Sequence, residues 1–335
     1  MKSPITGKEM FLKREHQNLI FRKEEYDIVY HYFLCEDSKE QFTNDKLDEL
    51  NLKQLYNKYR EAHNLPFPDE ITEIRHKYKL SATKMSEILG FGINVYRNYE
   101  AGEVPNESNA RLIQVASDPI QFKELLLKSR ISKEKEIRKY ITHIDELIEN
   151  KSTAYFKKCF AENYLLGITS PNRYTGYKKQ NLEKFTAMVV FFSKMLKPWK
   201  TYLNKYLFYA DFLNYKNTGF AISGLQYRAI DMGPVPNNFN SIYEYLATED
   251  FIDIEQNEFP DGSIGERFYE RKDNQFNPDT FTSEELESMD EVYKRFKDIK
   301  KELIQISHAE PAWDVNFKAG KKIINYDAAF DLKAL

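Results

Sequence analysis

Three side chains suited to acid–base or metal chemistry stand in otherwise apolar company: Asp211, His308 and Glu310. His308 and Glu310 are two residues apart, beside Pro311 and Trp313. On a helix that spacing turns them about 200° apart, so they do not converge on one point. His308 is therefore expected to be a packed or capping histidine. Asp211 interrupts the apolar run Leu203–Leu213. A carboxylate in such a place needs hydrogen-bond donors, which the backbone N–H groups of the Thr218–Gly224 turn or the Gly233 corner are expected to supply. Neither a glycine-rich phosphate loop nor a G-x-S-x-G nucleophile motif occurs in the chain. These residues point away from an enzyme and give no catalytic or metal site. A hydrolase using His308 and Asp211 is the weakest alternative.

The elements that must position them lie in Leu203–Leu246. Leu203, Tyr206, Leu207, Ala210 and Leu213 recur at helical spacing, which predicts a helix with one apolar face. Leu225, Tyr227 and Ala229 alternate with polar residues and predict a short strand. Gly233-Pro234-Val235-Pro236 reads as a corner that continues neither element, because both prolines lack an N–H and fix φ. Asn237 or Asn238 is then expected to cap a helix burying Phe239, Ile242, Tyr243 and Leu246.

The same residues resemble the Panacea domain of the SocA-like antitoxins. The family pattern runs from a K-L-L-Y-F-A-D-like helix through a T-G-x-x-I-x-G turn to a G-P-V-P corner. Here it reads Tyr209-Ala210-Asp211, Thr218 to Gly224, and Gly233 to Pro236. Ser307-His308-Ala309-Glu310-Pro311-Ala312-Trp313 resembles the family's later S-H-x-E-P-x-W. The resemblance spans about 182–332. Its signature residues are Asp211, Gly224, Gly233, Pro234, Pro236, His308 and Trp313. It implies a mostly helical domain at 181–335 with a small sheet, and a cognate protein toxin as partner. Glu244–Glu291 holds sixteen Asp/Glu against three Lys/Arg. For a basic toxin, Asp250, Asp253 and Glu255 are the expected contacts.

Nearer the amino terminus, alternating runs at Met10–Arg14, Asn18–Arg22 and Tyr26–Leu34 predict a small sheet. Ser3-Pro4-Ile5-Thr6-Gly7 and Cys35-Glu36-Asp37-Ser38 stand where a zinc ribbon carries its paired cysteines. The layout resembles the ribbon of MqsA-type antitoxins with Ser3, Thr6 and Ser38 in place of thiolates. Only Cys35 remains, so residues 1–42 are read as a degenerate ribbon that binds no metal or other cofactor. A connecting helix follows at 43–68.

Residues 69–126 predict several short helices. Ser81 caps one, Gly90-Phe91-Gly92 turns the chain, and Ile93–Ala101 forms the next. Tyr78–Pro119 resembles the Xre/Cro-type helix-turn-helix in its MqsA-type version. That resemblance implies operator DNA as a partner, with Asn94, Arg97 and Asn98 toward the major groove and Lys84 near phosphate. The family's arginine would fall at Asn98, and Arg97 is displaced by about 100° around the helix. Pro68–Gly102 carries five basic and five acidic residues. Affinity should then be modest and salt-sensitive, with a homodimer doubling the contact. Residues 127–180 are read as a basic helical connector carrying Lys128, Arg130, Lys133, Lys135, Arg138 and Lys139.

The 335 residues carry a net charge of −3, which does not steer the whole chain toward nucleic acid. Two cysteines form no disulfide framework. The start MKSPITGKEM is no signal peptide, and Ala187–Phe192 is too short to span a bilayer. The expectation is a cytoplasmic, mainly α (α+β) chain: an antitoxin that occludes its toxin and represses its own operon. The alternative is a DNA-binding transcription regulator or proteolytic adaptor without a toxin.

Overall fold

Arg22 and Lys23 both have positive φ, 51° and 72°, the backbone of a tight type I′ turn. They join β1 (Phe11–Phe21) to β2 (Glu24–Leu34), which pairs with β3 (Gln41–Phe42) in the order β1-β2-β3. The two separate runs expected at Met10–Arg14 and Asn18–Arg22 are thus one strand. The polar stretch between them is no break, because β1 is exposed along most of its length.

The computed structural model describes residues 1–129, 134–149, 153–167, 169–273 and 275–335, and their side chains except those of 134–136 and 153–159. Arg130 and Lys133, with the side chains of Lys135 and Cys159, lie outside the described residues. The chain forms two compact units. One comprises Met1–Arg14, His31–Leu50 and Glu162–Leu335, the other Glu15–Tyr30 and Asn51–Ala161. The division runs through β1, β2 and the following helix α1 (Asp45–His63).

The second unit is helical beyond the hairpin. α2 (Pro68–Lys77), α3 (Ala82–Leu89), α4 (Val95–Glu100), α5 (Glu107–Val115) and α6 (Pro119–Lys128) follow in order. Ile71, Met85, Tyr96, Ile113 and Phe122 share one core. The Ser81 hydroxyl accepts the Lys84 N–H, and Gly90 ends α3 at φ 73°, a left-handed position that suits glycine. α7 (Glu134–Glu149) lies in the expected connector. Ile144 is buried in that same core, with Ile137, Ile141 and Leu147 packed beside it. α8 (Thr153–Leu166) follows.

The first unit is built around α10 (Lys200–Thr218), preceded by α9 (Leu182–Leu196). Every residue of α10 from Leu203 to Tyr215 is buried, so the expected single apolar face is corrected to a helix enclosed all round. β4 (Tyr227–Ile230) and β5 (Gly233–Pro236) pair antiparallel, with Ala229 opposite Pro234 and Tyr227 opposite Pro236. The Gly-Pro stretch read as a corner is therefore a strand. Pro234 and Pro236 alternate, so the sites lacking N–H lie on the same side of β5, where no ladder bond is lost.

α11 (Phe239–Thr248) buries Ile242, Tyr243 and Leu246 as expected. Asn238 precedes it at φ 58° but makes no side-chain cap; its amide donates to Leu165 O at 3.0 Å. β6 (Ile252–Glu258) and β7 (Ile264–Glu270) form the expected hairpin around Pro260-Asp261-Gly262. α12 (Ser283–Phe296) opens on a Thr282/Glu285 capping box, and α13 (Glu302–His308) and α14 (Pro311–Lys318) follow. The fold class is mainly α with small separate sheets. Among the described residues no helix is long and apolar enough to cross a membrane.

Candidate functional site

In the second unit, Tyr96 and Tyr99 bury the inner side of α4, while Asn94, Arg97 and Asn98 are exposed. The Tyr96 N–H donates to Ser86 Oγ at 3.0 Å and its hydroxyl to Ile71 O at 2.7 Å, fixing α4 against α3 and α2. Lys84, expected near phosphate, has its ammonium 2.7 Å from the Glu87 carboxylate. Arg75 pairs with Glu100 at 2.6 Å, and Lys77 donates to Ser117 O at 2.8 Å. Lys79 and Arg97 have no such partner among the described residues.

The four ribbon positions do come together. Gly7 N–H donates to Ser3 O and Lys39 N–H to Cys35 O, making two tight knuckles. Thr6 Oγ1 lies 3.6 Å from Cys35 Sγ. The Ser3 hydroxyl, with those of Ser38 and Thr6, stabilises the thiolate and brings the thiol down to about 6. One thiolate and three hydroxyls do not fit Zn²⁺, whose structural sites take four Cys or His ligands.

In the first unit Asp211 has no solvent exposure. Its Oδ1 accepts the Ile222 and Ser223 N–H groups, each at 2.8 Å. Its Oδ2 accepts the Ser223 hydroxyl at 2.6 Å and the Tyr227 hydroxyl at 2.7 Å. Burial pushes the carboxyl above its ordinary range, and these donors pull against that. Asp211 thus pins the Thr218–Gly224 turn and β4 to α10. Gly224, at φ 73°, closes the turn where a Cβ would lie 2.7 Å from Lys179 O.

About one and two-thirds helical turns earlier, Lys205 is buried with no carboxylate paired to it among the described residues. Its amine donates to Pro234 O at 3.2 Å. Burial pushes it down to about 7. A Cβ on Gly233 would meet Lys205 Nζ at 2.6 Å and Ser307 Oγ at 2.8 Å. His308 stacks on Trp313 with ring centroids 4.0 Å apart, and Trp313 Nε1 donates to Ile230 O at 2.8 Å. Burial, then the charge of Lys205, push the His308 imidazole down. Glu310 accepts from the Tyr209 hydroxyl and from the N–H groups of Lys333 and Ala334. Asp211 and Glu310 are therefore each spent on several donors, and His308 packs flat on an indole.

On the surface of this unit Asp250, Asp253 and Glu255 are all exposed. They are not isolated charges. Arg271 Nη1 pairs with Asp250 and lies 3.5 Å from Asp253, and Glu255 bonds the Tyr269 hydroxyl. The Arg267 guanidinium sits 5.6 Å from both the Trp199 and Tyr269 ring centres.

Residues 203–314 match the family model of the SocA-like antitoxins, the Panacea domain. The comparison with curated proteins finds no match for the chain. The Panacea segment begins with the buried part of α10 and ends within α14, so Lys205, Asp211, Gly224, Gly233, Pro234, Pro236, His308, Glu310 and Trp313 all fall inside it. α9 and the 3₁₀ turn Tyr326–Asp331 lie outside the matched residues and still pack on α10. Tyr326 stacks on Phe212 at 4.3 Å, completing the aromatic wall beside Asp211.

Lys205, Ser307 and Tyr227 are structural partners that sequence reasoning did not assign, and Glu310, weighed there only for acid–base or metal chemistry, is another. For Lys205 a signal existed. A cation within a run of apolar residues on a helix without a polar face has nowhere to snorkel.

Proposed function

We propose that the chain is an antitoxin of a bacterial toxin–antitoxin pair. The unit built on α10 binds a cognate protein toxin and occludes it, and the α3–α4 segment binds operator DNA and represses the pair. The observation that carries the reading is the Panacea match, which falls on the residues that build the α10 framework. In this reading the buried polar groups of the matched segment are structural. Asp211 and Glu310 are saturated with donors, so the mechanism is steric and not catalytic.

The DNA part is supported by the exposed Asn94, Arg97 and Asn98 on a helix whose other side is anchored by two buried tyrosines. Asparagine can read adenine bidentately in the major groove. With Lys84, Arg75 and Lys77 engaged elsewhere, the phosphate contact is thin. A homodimer on a two-fold operator compensates for it. The amino-terminal knuckles act as a metal-free scaffold.

The test is co-expression of the full chain with the toxin encoded beside it, in a host that the toxin alone kills. Rescue is expected, and it should persist when Asn94, Arg97 and Asn98 are all replaced by alanine while operator binding is lost. Operator binding without rescue of any toxin would favour a transcription regulator or proteolytic adaptor.

A further inference from the structure

The hairpin β6–β7 has one covered edge and one open edge. On the covered side, the Phe268 N–H donates to Pro198 O at 2.9 Å and Arg267 bridges Trp199. The Phe268 N–H therefore points away from β6, which makes Ile254↔Phe268 a pair without mutual hydrogen bonds. By alternation, Ile254, Gln256 and Glu258 turn their own N–H and C=O groups outward, away from β7. Among the described residues nothing accepts or donates to those groups. The hairpin is predominantly acidic, with Arg271 paired to Asp250 and 3.5 Å from Asp253 at its base. Glu249–Arg271 holds eight carboxylates and two guanidinium groups, and Asp253, Glu255 and Glu258 on β6 are all exposed. Two apolar side chains, Phe259 at 40% and Ile264 at 67% exposure, stand at the hairpin tip.

We propose that the outer edge of β6 is the toxin-docking surface, and that it takes an extended Lys/Arg-bearing segment of the toxin as an added strand. The proposal deepens the antitoxin reading and rests on it. An open strand edge supplies main-chain hydrogen bonds to any extended chain, and side chains alongside decide which chain is accepted. The carboxylates of β6 select a basic segment and repel an acidic one, raising the encounter rate with the right partner. They also keep the edge from pairing with a second copy of itself, since β6 against β6 would set carboxylates opposite carboxylates. The apolar tip gives the incoming strand a contact to end against.

Gln256→Pro tests this directly. The N–H it removes points outward, so β6–β7 pairing keeps its bonds, while an incoming strand loses a donor and meets a ring. Asp253→Lys with Glu255→Lys is the second variant, and an unchanged thermal melt of the full chain qualifies each. One probe is a heptapeptide of alternating lysine and valine, with the glutamate–valine peptide as control. The other probe is the toxin that the full chain neutralises. The full chain should bind the lysine peptide and not the control. Either variant should weaken binding of both probes by at least about tenfold, or about 1.4 kcal/mol. Full toxin binding by both folded variants would overturn the docking edge and leave the antitoxin reading standing. Absence of any neutralised toxin would remove the antitoxin reading. The peptide would then decide the edge alone, and failure to bind it would overturn the proposal.

Discussion

Lys205 occupies the space that a side chain on Gly233 would need. A Cβ there would lie 2.6 Å from the lysine nitrogen, on a backbone already at φ 99°. A strand glycine and a buried amine thus form one structural unit, in which the absence of one side chain makes room for the other. Gly233→Ala should destabilise the chain by about 1–3 kcal/mol through its φ alone. Part of any further loss should return in the Lys205→Ala background. Additive losses in a double-mutant cycle would show that the two do not interact.

The buried amine predicts a particular pH profile. Burial lowers Lys205 to about 7, against an ordinary lysine near 10.5. Between those values the unfolded chain holds a proton that the folded chain lacks, so stability rises with pH. Below about 7 both states hold it and the full cost of burying the charge is present. Lys205→Met should therefore stabilise the chain by about 1–4 kcal/mol at neutral pH, an advantage that shrinks toward pH 10. Urea melts of both proteins across that range decide it. Parallel profiles would show that the lysine does not titrate as buried.

Asp211→Asn keeps the shape and removes the charge that four donors face. We expect a loss of at least about 3 kcal/mol, because buried donors are left with a poor acceptor. Tyr227→Phe removes one of the four and should cost about 1–2 kcal/mol. Similar losses in the two variants would mean that the carboxylate is not the hub.

On DNA, Asn94→Ala and Asn98→Ala should each reduce discrimination against altered operators by about 1–3 kcal/mol. Lys79→Ala should lower the salt slope by about 1 and leave base preference unchanged. Lys84→Ala should do little, since Glu87 already holds that ammonium. Fluorescence anisotropy over a salt series measures all four, and unchanged operator affinity in both asparagine variants would take α4 out of the interface.

The knuckle cluster predicts a zinc-free protein whose Cys35 is a thiolate at neutral pH. The thiol is lowered to about 6 by its hydroxyl donors, so ultraviolet thiolate absorbance should survive at pH 7 and shift to alkaline pH on unfolding. Stoichiometric zinc in elemental analysis would contradict the metal-free reading of residues 1–42.

The hub at Asp211 was legible in the sequence because a lone carboxylate in an apolar helix has few ways to be satisfied, and the nearest turn is one of them. The all-round burial of α10 was not, since periodicity detects a face and α10 has none. β5 was hidden because Pro234 and Pro236 are scored as breakers wherever they fall. Only the register shows that both sit where no ladder bond is missing. α12 stops at Phe296 and α13 starts at Glu302, so the buried Met289, Val292, Phe296 and Leu303 come from two helices. Lys84 shows the limit at the surface: residue type places a charge on a face, but which carboxylate pairs with it is seen only in the fold.

The enclosure of α10 also sets where this chain can change. From Leu203 to Tyr215 every position is walled in, so a substitution there alters several neighbours at once. The β6–β7 hairpin has a solvent-facing edge on which Asp253, Glu255, Gln256 and Glu258 bear on no core packing. Tolerance of substitution is therefore uneven: a change in the scaffold disturbs several neighbours, while the rim can take new side chains without disturbing the core.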